Sequence, residues 1–258
     1  MNNSVVESGY LGHSPARSIR NVKSRDLFTW IARGLDDMKL SPVSSLAWGV
    51  GFTISLYGIY LLLTSSLAAS FAYTAPLTTL ALFFAGGMIA SSRQIEISGS
   101  ADTSAAVSQL WRAKLNLVMI GLALSILVLG WMGLSLVIGV VSAGMDTASV
   151  GSMYEMVMSV KGVGSLAALS ILTTVMIITA FALAFVSIPM VVDGDQDFLN
   201  AMLTSAASFR KNFRASIIAA VALVGLLVVS ALLWFPLTLV AAPIASHAAW
   251  HGYRSLVD

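Results

Sequence analysis

Six long stretches of the chain contain no Asp, Glu, Lys or Arg: Val43–Ala69, Leu77–Ser92, Leu115–Ala143, Val163–Pro189, Ala215–Trp234 and Leu237–Trp250. A helix needs about 20 apolar residues to cross the hydrocarbon core of a bilayer. Inside that core only helices and closed barrels satisfy their own backbone polar groups. Four of the stretches are long enough. The second and sixth, at 16 and 14 residues, reach only about 24 and 21 Å at 1.5 Å per residue. They are either completed by flanking turns or form re-entrant half-helices, and complete crossings are the preferred reading. The expected fold is all-α: a polytopic transmembrane helix bundle of about six spans.

Composition excludes the other classes. Charged residues make up 10% of the chain, against about 25% in soluble domains. The apolar share of 57% excludes disorder, which requires little apolar content and much charge. A formal charge of +2 gives no reason to expect nucleic acid as a partner. The absence of cysteine removes disulfides, thiolate nucleophiles and Cys-based zinc sites. Residues 1–40 carry six basic residues with no apolar core or small-residue cleavage site, so the first apolar run is expected to serve as both signal and anchor.

The basic residues also orient the bundle. Six precede the first stretch; Arg93, Arg112 and Lys114 lie between the second and third; Arg210, Lys211 and Arg214 lie between the fourth and fifth; Arg254 follows the sixth. With alternating crossings, 13 of the 14 fall on one side and only Lys161 on the other. The positive-inside rule then makes both termini cytoplasmic, and the expected location is the bacterial inner membrane. Pro42, Pro76 and Pro236 stand just before the first, second and sixth stretches, Pro189 closes the fourth, and Pro243 predicts a kink in the sixth.

Amphipathic stretches precede the first, third and fifth spans. Leu27, Phe28, Ile31, Leu35 and Met38 share a helical face opposite Arg33, Asp36 and Asp37. Phe198, Leu199, Met202, Ala206, Phe209 and Phe213 do so against Asn200, Arg210 and Lys211, and a shorter middle stretch holds Val107, Leu110 and Trp111. Such helices lie in the headgroup plane on the cytoplasmic side. The chain then reads as a flexible cytoplasmic tail (1–25) and one membrane domain (26–258), with modules at 26–95, 102–190 and 194–254. Pro76-Leu77-Thr78 and Pro236-Leu237-Thr238 open the return spans of the first and third modules alike. Trp48, Trp250 and Trp234 fall near span ends, and Trp30 and Trp111 in the surface stretches.

Few side chains remain to carry chemistry. Ion-coupled carriers keep ionisable groups along their pathway, and here only His247 and His251 are titratable near hydrocarbon. Their i, i+4 spacing puts both imidazoles on one helical face, which suits Zn or Cu but not two axial ligands of one haem. The competing reading has His247 bonded to a neighbouring helix and His251 at the headgroups. Asp193, Asp195 and Asp197 lack the glycine and final glutamate of a calcium loop and are expected to cap the next helix. Asn116 is expected to make an interhelical hydrogen bond. Ala241, Ala245 and Ala249, with Ala180 and Ala184, form small-residue faces suited to close helix packing.

Several stretches together resemble a bacterial integral-membrane family known as a domain of unknown function, DUF2189. They are Phe28-Thr29-Trp30-Ile31-Ala32-Arg33-Gly34-Leu35-Asp36-Asp37, Ser187-Ile188-Pro189-Met190-Val191-Val192-Asp193, Ala201-Met202-Leu203-Thr204-Ser205 and Ser246-His247-Ala248-Ala249-Trp250-His251-Gly252-Tyr253-Arg254. The family commonly has a basic residue where Gly194 stands here. The resemblance implies a multi-span inner-membrane protein without an assigned activity.

The expected function is that of a non-enzymatic accessory or assembly factor, with the lipid bilayer and other membrane proteins as partners and no cofactor. Two alternatives stand beside it. One is a passive transporter or channel for a small solute. The other is a metal-binding membrane protein holding Zn or Cu through His247 and His251.

Overall fold

The structure, a computed structural model, describes residues 18–100, 102–143, 160–194 and 196–258. Among them are nine α-helices: α1 (Asp26–Leu40), α2 (Pro42–Ser65), α3 (Leu67–Ser98), α4 (Thr103–Ala143), α5 (Val160–Ala184), α6 (Ser187–Asp193), α7 (Phe198–Lys211), α8 (Phe213–Leu233) and α9 (Thr238–Leu256). A single 3-10 turn, Phe235–Leu237, links the last two. The protein is a helical bundle.

Five segments are long and apolar enough to cross a membrane: Pro42–Thr64, Leu67–Ser98, Thr103–Val141, Gly162–Asp193 and Phe213–Leu233. The short second stretch is completed by its flanks, because α3 runs for 32 residues with Pro76 inside it rather than at its start. The sixth differs from expectation. Its helix, α9, is not among the five. Thr238 at its start donates to Thr53 Oγ1 at 3.1 Å, and Phe235 packs on Tyr57 with ring centroids 5.3 Å apart. α9 thus begins beside the middle of α2, and its later turns carry His247, His251 and Arg254.

Two amphipathic stretches form separate helices, α1 and α7, whereas the middle one is simply the first turns of α4. Their packed faces also differ from expectation. On α1 the buried residues are Leu27, Trp30, Gly34 and Asp37, while Phe28 is 76% exposed. On α7 they are Ala201, Met202, Ser205 and Ser208, while Leu199 and Leu203 face outward. The apolar stripe read from the sequence is therefore divided: Phe28, Leu35, Leu199 and Phe213 face outward while Leu27, Ile31, Phe198, Met202 and Phe209 pack on the core, and small and polar residues pack beside them.

Backbone contacts explain that choice. A Cβ at Gly34 would lie 2.8 Å from the backbone N of Ala248, so α1 rests directly on α9 through a residue with no side chain. Where α2 meets α9, a Cβ at Gly49 would lie 2.5 Å from Leu239 O. That carbonyl is the one Pro243 leaves without its i+4 donor, and glycine lets α2 cover it.

The break between α5 and α6 has an equally local cause. Ser205 Oγ accepts from Val186 N (3.1 Å) and donates to Ala182 O (2.7 Å), taking the place of the helical bond between those two groups. Insertion of a side chain into the ladder bends a helix, and Pro189 removes a further donor one turn on. Residues 18–25, assigned by sequence to the tail, run along the end of the chain. Ile19 pairs with Val257 in an antiparallel bridge, and Asn212 accepts from Val22 N at 2.9 Å and donates to Arg20 O at 3.0 Å.

Candidate functional site

The start of α2 and the ends of α3, α6 and α9 meet at one end of the bundle, and α1 lies across them. Alternating helix direction brings these termini together, and with them most of the ionisable side chains among the described residues. Asp37 occupies the centre. Its side chain is 9% exposed, and its Oδ2 accepts from Ser92 Oγ at 2.6 Å and from His251 Nε2 at 2.8 Å.

His247, fully buried, continues the chain of bonds. Its Nδ1 lies 2.7 Å from Ser92 Oγ and its Nε2 2.9 Å from Ser45 Oγ. Ser92 commits its proton to Asp37, so the imidazole must donate from Nδ1 and accept from Ser45 at Nε2. Ser41, which donates to Asp37 O at 2.9 Å, lies 3.0 Å from Ser45. One path, Ser45–His247–Ser92–Asp37–His251, therefore joins α2, α9, α3 and α1.

A second group flanks it. Asp193 accepts from Arg93 Nε at 2.8 Å and from Tyr253 OH at 3.0 Å. Glu96 accepts from Trp250 Nε1 at 2.8 Å and from Arg254 Nε at 3.0 Å. Trp30 Nε1 donates to Ser255 Oγ at 3.1 Å. Buried polar groups are costly unless bonded, and here the carboxylates at the centre are bonded from two sides.

The acidic cluster divides its roles. Asp197 caps α7, accepting from Leu199 N at 3.0 Å and Asn200 N at 3.1 Å. The backbone N–H of Asn200, more than any other group, holds its carboxyl below the ordinary carboxylate range. Asp193 ends α6 instead and faces α3 and α9, a correction to its expected place as a cap. Asp195 lies outside the described residues. Asn116 bonds backbone rather than a neighbouring side chain: its Oδ1 accepts from Phe198 N at 3.2 Å and its Nδ2 approaches Gln196 O at 3.4 Å.

His247 and His251 share a helix face but bond to different partners, and no group of three His, Cys, Asp or Glu side chains that could hold a metal occurs among the described residues. Ser45 and His247 have the spacing of a nucleophile and its base. Ser45 is fully buried, and the other imidazole nitrogen meets a hydroxyl rather than a carboxylate. The geometry is that of a structural junction between four helices.

The model of the family described as predicted integral membrane protein (DUF2189) matches residues 63–193. The chain belongs to this family. It is an integral, multi-pass membrane protein. The matched part of this DUF2189 protein contributes Ser92, Arg93, Glu96 and Asp193 to the junction, while Asp37, His247 and His251 come from outside it. No curated protein and no solved structure matches the chain.

Sequence reasoning placed Asp37 on the solvent face of α1 and passed over Ser45, Ser92, Glu96 and Tyr253. The available signal was the spacing of Leu27, Trp30, Gly34 and Asp37 at i, i+3, i+7 and i+10, a second helical face carrying a glycine that only close packing requires.

Proposed function

We propose that the protein is a non-enzymatic accessory or assembly factor of the bacterial inner membrane, with the junction end and both termini in the cytoplasm. The orientation is supported by the 13 of 14 basic residues on that side. The observation that carries the functional reading is the two-faced use of α1. Trp30, Gly34 and Asp37 fix the helix to α9 and α3, while Phe28, Leu35 and Leu40 stand exposed on its surface. α7 repeats the arrangement with Leu199 and Leu203. A rigidly held helix with an apolar outer face suits contact with another membrane protein at the headgroup level. The polar groups beneath it are engaged with each other, which favours support over catalysis.

Purification in mild detergent from the native membrane, followed by mass spectrometry, tests the reading. It predicts a co-purifying membrane protein that is lost in Phe28→Ser/Leu35→Ser while the melting temperature holds. Recovery of the chain alone, or the same partner with wild type and variant, contradicts it.

A further inference from the structure

An apolar cleft of about 180 Å³ lies inside the bundle between α3, α5, α6, α8 and α9. Phe185, Leu223, Leu227, Ala242, Ala245 and Ser246 are among its lining residues. The small-residue face expected to bring helices into contact thus leaves a space at Ala245. The cleft is partly open rather than enclosed, and α5 and α8, which flank it, scarcely touch one another.

Two observations say what would fill it. Ser246 is 92% buried, its relative exposure being 8%, and lines the cleft. It adjoins His247, level with Ser45 and Ser92 at the junction end. Phe52, another lining residue, adjoins Thr53, which pairs with the start of α9. The cleft is therefore polar only at the end nearest the membrane surface and apolar toward the membrane interior. An engineered apolar cavity of about 150 Å³ takes up benzene, so this one has room for roughly six to eight carbons.

We propose that the cleft holds one acyl chain of a membrane lipid from the leaflet at the junction end, its ester carbonyl accepting a hydrogen bond from Ser246 Oγ. A bilayer supplies such chains at high concentration, with their polar end at the correct depth.

The full chain, reconstituted in phosphatidylethanolamine and phosphatidylglycerol vesicles containing a trace of diazirine-acyl phosphatidylglycerol, tests this by irradiation and peptide mapping. Label is expected on residues 181–189, 223–227 and 242–249. Ala245→Leu fills the space and should cut that labelling at least five-fold without lowering the melting temperature; Ala249→Leu serves if the first variant does not fold. Ser246→Ala should reduce it two-fold or more. Label confined to outward residues such as Ile126 and Leu232, or cleft labelling unchanged in the filled variant, overturns the proposal.

Discussion

Asp37 of α1 and Ser92 of α3 are 55 positions apart in sequence and bonded at 2.6 Å between Oδ2 and Oγ. The same carboxylate oxygen receives His251 Nε2 from α9. One buried acceptor therefore ties a surface helix to two helices of the bundle. Removing it strands two donors. Asp37→Ala is expected to cost about 2–4 kcal/mol, because two buried donors lose their shared acceptor. Reversible unfolding in mixed micelles measures it; a loss below 1 kcal/mol would mean that the network carries little of the fold.

Two ion pairs on this protein should behave oppositely. Arg93 and Asp193 are 22% and 14% exposed at 2.8 Å, whereas Lys39 and Asp36, also at 2.8 Å, are 75% and 66% exposed. Exposed pairs contribute about 0–1 kcal/mol. Lys39→Ala should thus change stability by less than about 0.5 kcal/mol, and Arg93→Ala should cost about 2 kcal/mol because Asp193 keeps one hydrogen-bond donor among the described residues, Tyr253. Equal effects would contradict this ordering.

Gly49→Ala is expected to destabilise by about 1–3 kcal/mol, the usual cost of overpacking, since its Cβ would stand 2.5 Å from the Leu239 carbonyl. Gly130, with nothing within 4 Å of such a Cβ, is the control, and Gly130→Ala should be neutral or slightly stabilising. Parallel melting curves of the two variants decide the matter.

Asp197→Ala should cost about 1 kcal/mol of α7 stability as a lost helix cap. The bonds from Asn200 and Leu199 lower the folded-state pKa of Asp197, so its contribution is full above the unfolded value of about 3.9 and fades as pH falls through the lower folded value. Protease susceptibility at the start of α7 should rise in the variant at neutral pH, with the difference from wild type shrinking below pH 4. A constant difference across that range would argue against the cap.

The membrane class was readable because hydrocarbon leaves a gross mark: runs free of charge, with basic residues gathered on one side. Sidedness of α1 and α7 was not, because hydrophobicity reports where a helix meets lipid as readily as where it meets protein. Phe28 and Leu199 stand outward, while Trp30, Gly34 and Ser205 pack on the protein. The sixth stretch is the weakest span signal for a related reason: the charge-free run over 237–250 includes His247 and Trp250, which belong to the junction. Asp193 and Asp197, four positions apart, look alike in sequence; only the turn at Gly194 (φ 96°), ending α6, separates a residue facing Arg93 from a helix cap.

Asp37 locks α1 onto the bundle through Ser92 and His251. Hydrogen–deuterium exchange on α1 tests it most directly, because amide protection reports local opening. In the wild-type protein the amides of 30–40 should be protected within about ten-fold of those at the start of α2. In Asp37→Ala they should lose at least a hundred-fold of protection while the spans stay protected. Protection of α1 left unchanged by that substitution would contradict the account.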